Sequence, residues 1–478
     1  MKRTNAATAL ALLMTCVGAM SSAFAADSNA VAGSNFTLRG EIAMQYGQSS
    51  GTLQNIAGTT EVCVPWVPLQ GAPTGNADNG FLHCHSLIFQ PTPIGVYPLG
   101  APSSKESRVL LNIASVGDNK LNVRGILDTG SSGLTLNALQ IFPPDMISSN
   151  GFVFKAGENQ INYNGIIVTK LMATRFYGKQ SKGGGTNRTG NLGFAQVSLG
   201  DRGEIRTALI PILFVFKDTG KPISKNSGDA DNTIGVNSEL DSVGQDVTIQ
   251  GSNLASTNTS VTGTVLDPFP ICTVQSTTPC SLMSPLRGIS YVAGVRAGYV
   301  LNSFPLNNCT TDPNYCSGHP GNYLVLGLDE NLIKGFSSAQ LRCATSTVEV
   351  ESCNQIVQNA KINADQKSFV WNVIFDTGAP TVRVTDPYYG DSLPKPAIFP
   401  LAENQVVSVV LPAQTPLPYN LTVGTGFDSV EFDYIDANAS GADQTTSNLG
   451  IGFFTRDSMM LDYDRGMEGW KPSEVSTD

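Results

Sequence analysis

Three segments of this chain carry the same three residues: Asp128-Thr129-Gly130, Asp218-Thr219-Gly220 and Asp376-Thr377-Gly378. Ile126-Leu127 lead into the first, and Val373-Ile374-Phe375 lead into the last. An apolar strand that ends on a carboxylate puts a charge where desolvation is costly, so the group must be paired, hydrogen-bonded or protonated. Two such ends facing each other would share one proton, because adjacent like charges do not both ionise. A pair of that kind can activate a water molecule, one member as general base and the other as general acid.

The middle copy has different flanks. Lys217 precedes it and Lys221-Pro222 follow it, which suits an exposed turn. It is set aside, and buried approach strands are expected only at Asp128 and Asp376. Other chemistries have little raw material. The chain has 3 histidines, at 83, 85 and 319. His83-Cys84-His85 has no second ligand pair at zinc spacing nearby, so no metal site and no cofactor is expected. Gly183-Gly184-Gly185 lacks the Gly-Lys-Ser/Thr that would complete a phosphate-binding loop.

The elements that position these residues read as strands. Only 14% of residues are charged, and Gly, Ser, Thr and Asn are abundant, which favours short strands and turns over helices. Arg108 to Gly117 reads as a strand running into a turn, and Leu121 to Leu127 as the return strand that delivers Asp128. Thr174 to Gly178 and Thr189 to Leu199 form the arms of a hairpin with a polar, glycine-rich tip. Tyr323–Leu328, Ile356–Ile362, Phe369–Phe375, Val406–Leu411 and Val430–Tyr434 read as further strands. Residues 26–104 read mostly as loop with one strand over Phe36–Tyr46, and residues 240–320 as an inter-lobe connection with surface loops.

The N-terminus predicts a secretory signal over residues 1–25. Lys2 and Arg3 precede an apolar run, and Ala23-Phe24-Ala25 form a small-residue cleavage site. Its removal would leave 8 cysteines, 63, 84, 272, 280, 309, 316, 343 and 353, and an even count in an exported chain predicts disulfides. Pairing of neighbours is the simplest connectivity. No later segment is apolar for long enough to predict a membrane anchor. The net charge of −10 would become −12 without Lys2 and Arg3, so neither nucleic acid nor anionic lipid is an expected partner.

The paired Asp-Thr-Gly segments resemble those of pepsin-like aspartic peptidases. Thr233-Ile234-Gly235 and Asn448-Leu449-Gly450 are similar to the family's two glycine-bearing strands, each of which threads past its own catalytic loop. Tyr177-Gly178 with Thr189-Gly190-Asn191-Leu192-Gly193 resembles the flap hairpin, split by an insertion at its tip. The closing stretch LGIGFFTRDSMMLDYDRGMEGW is similar to the family's own. The resemblance implies an all-β, bilobal pepsin-like fold with the active-site cleft between two related lobes. The expected organisation is an N-terminal extension over 26–104, a first lobe over 105–245 and a second over 246–478.

It also implies roles. Asp128 and Asp376 would be catalytic. Thr129 and Thr377 would bond across the lobes, while Gly130 and Gly378 let backbone amides point at the carboxylates. Ser131 would donate its hydroxyl to the outer oxygen of Asp128. Ala379 stands at the equivalent place and has no donor, which predicts an activity optimum less acidic than a digestive pepsin's. Tyr177 and Gly178 would cover the substrate. Thr135 stands where the family has a tryptophan against the flap tyrosine, and Pro380 where it has a small hydroxyl residue. The resulting expectation is a monomeric, exported endopeptidase, periplasmic or secreted, acting on a peptide or unfolded protein. The alternative is a catalytically weak or inactive peptide- or protein-binding member on the same scaffold.

Overall fold

In the computed structural model the described residues are 82–100, 107–177, 186–225, 232–242, 271–308, 320–345, 351–386, 399–423, 430–434 and 446–472 apart from short breaks, with strands at 35–37, 50–56, 59–65, 246–249 and 257–258 and a turn at 250. The expected signal segment, most of Phe36–Tyr46, Gly178, the hairpin tip and Cys309 and Cys316 lie outside them.

The fold is all-β and has two lobes. Sequence alternation and apolar runs explain the strands around the first loop. Strand β1 (Leu82–Ile88) and β2 (Thr92–Gly100) lead into β3 (Arg108–Val116) and β4 (Asn119–Asp128). The β4 sequence alternates while one face meets solvent, then becomes continuously apolar as both faces are covered. After the loop, β5 (Ser132–Asn137) is buried throughout. The hairpin consists of β6 (Ile166–Tyr177) and β7 (Thr186–Ala195), and β7 also pairs with β8 (Ile210–Asp218). Phe142 packs edge-on against Phe152 and Phe214 to fill this lobe.

Strand β9 (Thr233–Val236) runs between β4 and β5. It pairs parallel with the first, Gly235 opposite Asp128, and antiparallel with the second, Gly235 opposite Gly133. A Cβ on Gly235 would lie 2.7 Å from the Ser131 carbonyl carbon, so only glycine passes the loop there. The second lobe repeats this plan in a separate 8-stranded sheet.

Between the lobes, β10 (Arg296–Leu301) and β11 (Gly321–Leu328) pair with each other. Strand β2 pairs antiparallel with both β3 and β11, which joins the first-lobe strands to those of the second half. Two expectations are therefore corrected. Residues 82–100 are not loop: their alternation is masked by Pro93 and Pro98, which sit in the ladder opposite Val325 and Val109. Within 240–320, Arg296–Leu301 is a core strand, with Tyr299, Val300 and Leu301 fully buried.

In the second lobe, β12 (Lys367–Ile374) delivers Asp376, β13 (Val382–Asp386) leaves it, and β14 (Thr446–Asn448) runs between them. Here the second glycine-bearing segment departs from a simple strand. At Gly450, where φ is +58°, the chain turns into the short helix α1 (Gly450–Phe454). Strands β15 (Asp457–Asp462) and β16 (Met467–Pro472) return to the inter-lobe sheet. Phe375, directly before Asp376, is fully buried and packs on Phe453 and Trp470.

Cys272–Cys280 and Cys343–Cys353 are disulfides, as neighbour pairing predicts. Cys84 is also disulfide-bonded, and Cys63 lies opposite it across the β-ladder. Among the described residues no helix is long and apolar enough to cross a membrane.

Candidate active site

The structure brings Asp128 and Asp376 together from opposite lobes. Their carboxyl groups face each other across the two loops. The close approach is made possible by two glycines. A Cβ on Gly130 would lie 2.5 Å from Asp376 Cγ, and one on Gly378 would lie 2.7 Å from Asp128 Oδ1. Each glycine also donates its N–H within its own loop, Gly130 to Asp128 Oδ1 at 2.9 Å and Gly378 to Asp376 Oδ1 at 2.7 Å.

The two threonines interlock beneath the carboxylates. Thr129 N–H donates to Thr377 Oγ1 at 3.1 Å, and Thr377 N–H donates to Thr129 Oγ1 at 3.0 Å. The Thr129 hydroxyl donates onward to the Phe375 carbonyl at 2.8 Å, and the Thr377 hydroxyl to the Leu127 carbonyl. Both threonines are fully buried, so each bond lies where an unmade partner would be costly. The reciprocity makes the two loops near-equivalent halves of one site.

The outer oxygens are served differently. The Ser131 hydroxyl donates to Asp128 Oδ2 at 2.7 Å. Ala379 gives its side nothing comparable, yet Asp376 Oδ2 is not short of a donor: Asn448 Nδ2 donates to it at 2.7 Å. This corrects the premise that Ala379 leaves Asp376 short of a donor. The amide comes from β14, 72 positions away, rather than from the loop. Burial, and then the neighbouring Asp128 charge, pushes the Asp376 carboxyl up to about 8, while Asn448 and the Gly378 amide pull the other way. The rise therefore follows from depth and the facing carboxylate, not from a missing hydrogen bond.

Tyr177 lies at the end of β6. Its hydroxyl is 2.8 Å from Thr135 Oγ1, which also accepts from Arg175 Nη1 at 3.0 Å. The guanidinium carbons of Arg175 and Arg188 lie 5.0 and 4.8 Å from the Tyr177 ring centre, within cation–π range. Thr135 thus contacts the tyrosine by a hydroxyl. The sequence reading missed Arg175 and Arg188: two buried arginines on hairpin arms have no local motif.

Asp218 takes no part in the pair. It begins an exposed turn, with Thr219 and Gly220 at positive φ, and faces Arg188 at 3.7 Å. The lysine flanks mark the exposed turn, but the expectation that only Asp128 and Asp376 end buried strands is corrected, because Ile210 to Phe216 is as buried as the end of β4. The copies differ in what happens at the strand end: β8 emerges to solvent over its last two residues, whereas β4 stays covered. His85, from the rejected metal motif, is fully buried with Nε2 2.8 Å from Ser290 Oγ.

No family model matches the sequence, and no curated protein does. Among solved structures the chain is similar to the aspartic proteinase of Irpex lacteus, at 14% identity over 80% of this chain and 98% of that one, with a TM-score of 0.43.

Proposed function

We propose that the protein is an exported aspartic endopeptidase of pepsin-like type, in which Asp128 and Asp376 activate the attacking water. The observation that carries this reading is the pair of strand ends whose carboxyls face each other over a reciprocal Thr129–Thr377 lock. A water between the carboxyls would lose a proton to the ionised one and add its oxygen to the substrate carbonyl carbon. The protonated carboxyl would hydrogen-bond the carbonyl oxygen. The C–N bond then breaks as the leaving amine takes up a proton from the dyad. The two ionisations belong to the pair, so the active form is the one that holds a single proton.

An extended peptide or unfolded protein segment is the substrate class that suits a cleft between β-lobes, because main-chain groups can pair with strand edges. The β6–β7 hairpin, with Tyr177 at the end of one arm, is the element that would close over it. The disulfides fit an oxidising compartment, in keeping with the N-terminal signal.

The test is cleavage of an unfolded protein from about pH 3 to about pH 8, with and without pepstatin, beside Asp128→Asn and Asp376→Asn. Expected are pepstatin-sensitive cleavage and its loss in both variants. Tight peptide binding without cleavage at any pH would instead support a binding protein on this scaffold.

A further inference from the structure

We propose that Asn448 is a positioning residue of the dyad: its amide replaces the loop hydroxyl missing at Ala379, keeps the outer oxygen of Asp376 an acceptor, and confines the shared proton to the inner oxygens.

The two lobes place equivalent residues at this point. Thr233 on β9 lies opposite Ile126, and Asn448 on β14 lies opposite Ile374, each two positions before its aspartate. Their side chains do different work. Thr233 Oγ1 accepts from Arg188 Nη1 at 2.9 Å, while Asn448 Nδ2 donates to Asp376 Oδ2. The first carboxylate has a serine in its own loop. The second has alanine there, and its donor comes from the threading strand.

An amide is not an equivalent substitute for a hydroxyl. A serine hydroxyl donates or accepts by rotating, whereas an amide nitrogen only donates. The orientation of Asn448 is fixed by its other end, since Oδ1 accepts the Gly450 N–H at 2.8 Å. A flip would lose that bond and set an amide oxygen against the Asp376 oxygen. Asp376 Oδ2 therefore always faces a donor and has no place for a proton on that side. A proton held by Asp376 sits on Oδ1, toward Asp128. The inner oxygens are close together: a Cβ on Gly378 would lie 2.7 Å from Asp128 Oδ1 and 2.9 Å from Asp376 Oδ1. On Asp128 the outer partner is Ser131, which can turn to accept. The dyad is thus asymmetric in a defined sense, with only its Asp376 side committed.

The kinetic consequence rests on the peptidase reading, whereas the titration consequence does not. Asn448→Leu removes the donor to the ionised form of Asp376. The alkaline limb of the kcat/KM profile should move up by about one pH unit, and kcat should fall roughly tenfold as the proton loses its fixed place. Adding Ala379→Ser restores a hydroxyl at the place where Ser131 serves Asp128, but not the Gly450 bond. Recovery of the profile in the double variant therefore assigns the effect to the donor rather than to the turn at Gly450.

The same variants can be followed without substrate, by infrared titration of the protonated carboxyl band. Its midpoint should rise in Asn448→Leu and return in the double variant. An unmoved midpoint in a folded Asn448→Leu protein, or a shift that Ala379→Ser leaves in place, overturns the proposal. Wild-type protein that titrates as expected but cleaves nothing would count against the peptidase reading alone.

Discussion

At the residue scale, the site depends on a few short bonds made where water is excluded. The Thr129–Thr377 lock is the clearest case. Thr129→Val keeps the shape but removes the acceptor of the Thr377 N–H and the donor to the Phe375 carbonyl. Leaving buried partners unmade should cost about 1–3 kcal/mol, read as a lower denaturation midpoint, with activity falling further than stability explains. Unchanged stability would mean that the lobes are not held through this pair. The pairing of the two Asp-Thr-Gly loops was readable in the sequence because the carboxylate, the hydroxyl and the permissive glycine are adjacent in the chain. Asn448 was not readable as a partner of Asp376: 72 residues separate them, and an asparagine at the end of a short strand carries no motif. The same gap explains why Ala379 read as a missing donor. A missing hydroxyl is visible in sequence, but its replacement from another strand is not.

At the scale of elements, the three Asp-Thr-Gly strands show which sequence signals decide. Apolar approach was a poor criterion, since β8 is as buried as β4 until its last two residues. The lysines at 217 and 221 were the better signal, because a long cation brings the strand end to water. Asp218 and Arg188 make a partly exposed pair, with side chains 28% and 10% exposed, and such pairs contribute little. Asp218→Asn should therefore keep cleavage and lose no more than about 1 kcal/mol of stability. Loss of cleavage would put the third copy in the mechanism. The hairpin gives a second test. Tyr177 is held at its hydroxyl by Thr135 and flanked by Arg175 and Arg188. Thr135→Val frees the hydroxyl, and KM should rise several-fold with a smaller change in kcat if this arm orders over substrate. A variant with unaltered KM would show that the hairpin closes without that anchor. The hairpin itself was legible from its two strand runs; the arginines that grip its tyrosine were not, because cation–π contacts have no spacing rule.

At the scale of the whole molecule, the inter-lobe sheet sets both pH tolerance and where the chain can begin. Glu468 on β16 is fully buried, and burial holds its carboxyl well above the usual range, with Gln355 Nε2 donating to Oε1 at 3.3 Å as a partial offset. Burial also pushes Asp457 on the neighbouring strand up to about 7. These acids have higher values folded than unfolded, so the folded state binds more protons between the two. Stability is then greatest on the acid side, and falls as pH rises past the unfolded values of about 4 toward the folded ones. Glu468→Gln should flatten that fall and raise Tm at neutral pH while changing little near pH 4. An identical Tm–pH curve would remove Glu468 as a cause. The start of the chain follows from the same sheet. Residues 26–104 contain one basic side chain, Arg39, which is poor material for a segment that masks two carboxylates by charge. Strand β2 is shared between β3 and β11, with Ile94 and Val96 buried in the core. Removing it would open two unpaired edges and expose apolar faces that each of these side chains covers, at about 1.5–3 kcal/mol per side chain before any backbone bonds are counted. The mature protein should therefore begin no later than Thr92. N-terminal sequencing of active protein reads this directly, and a chain engineered to start at Lys105 should be unstable or aggregate through its open strands. An active, monodisperse protein beginning at Lys105 would instead show that β2 is a removable cover, and that the two halves of the sheet close without it.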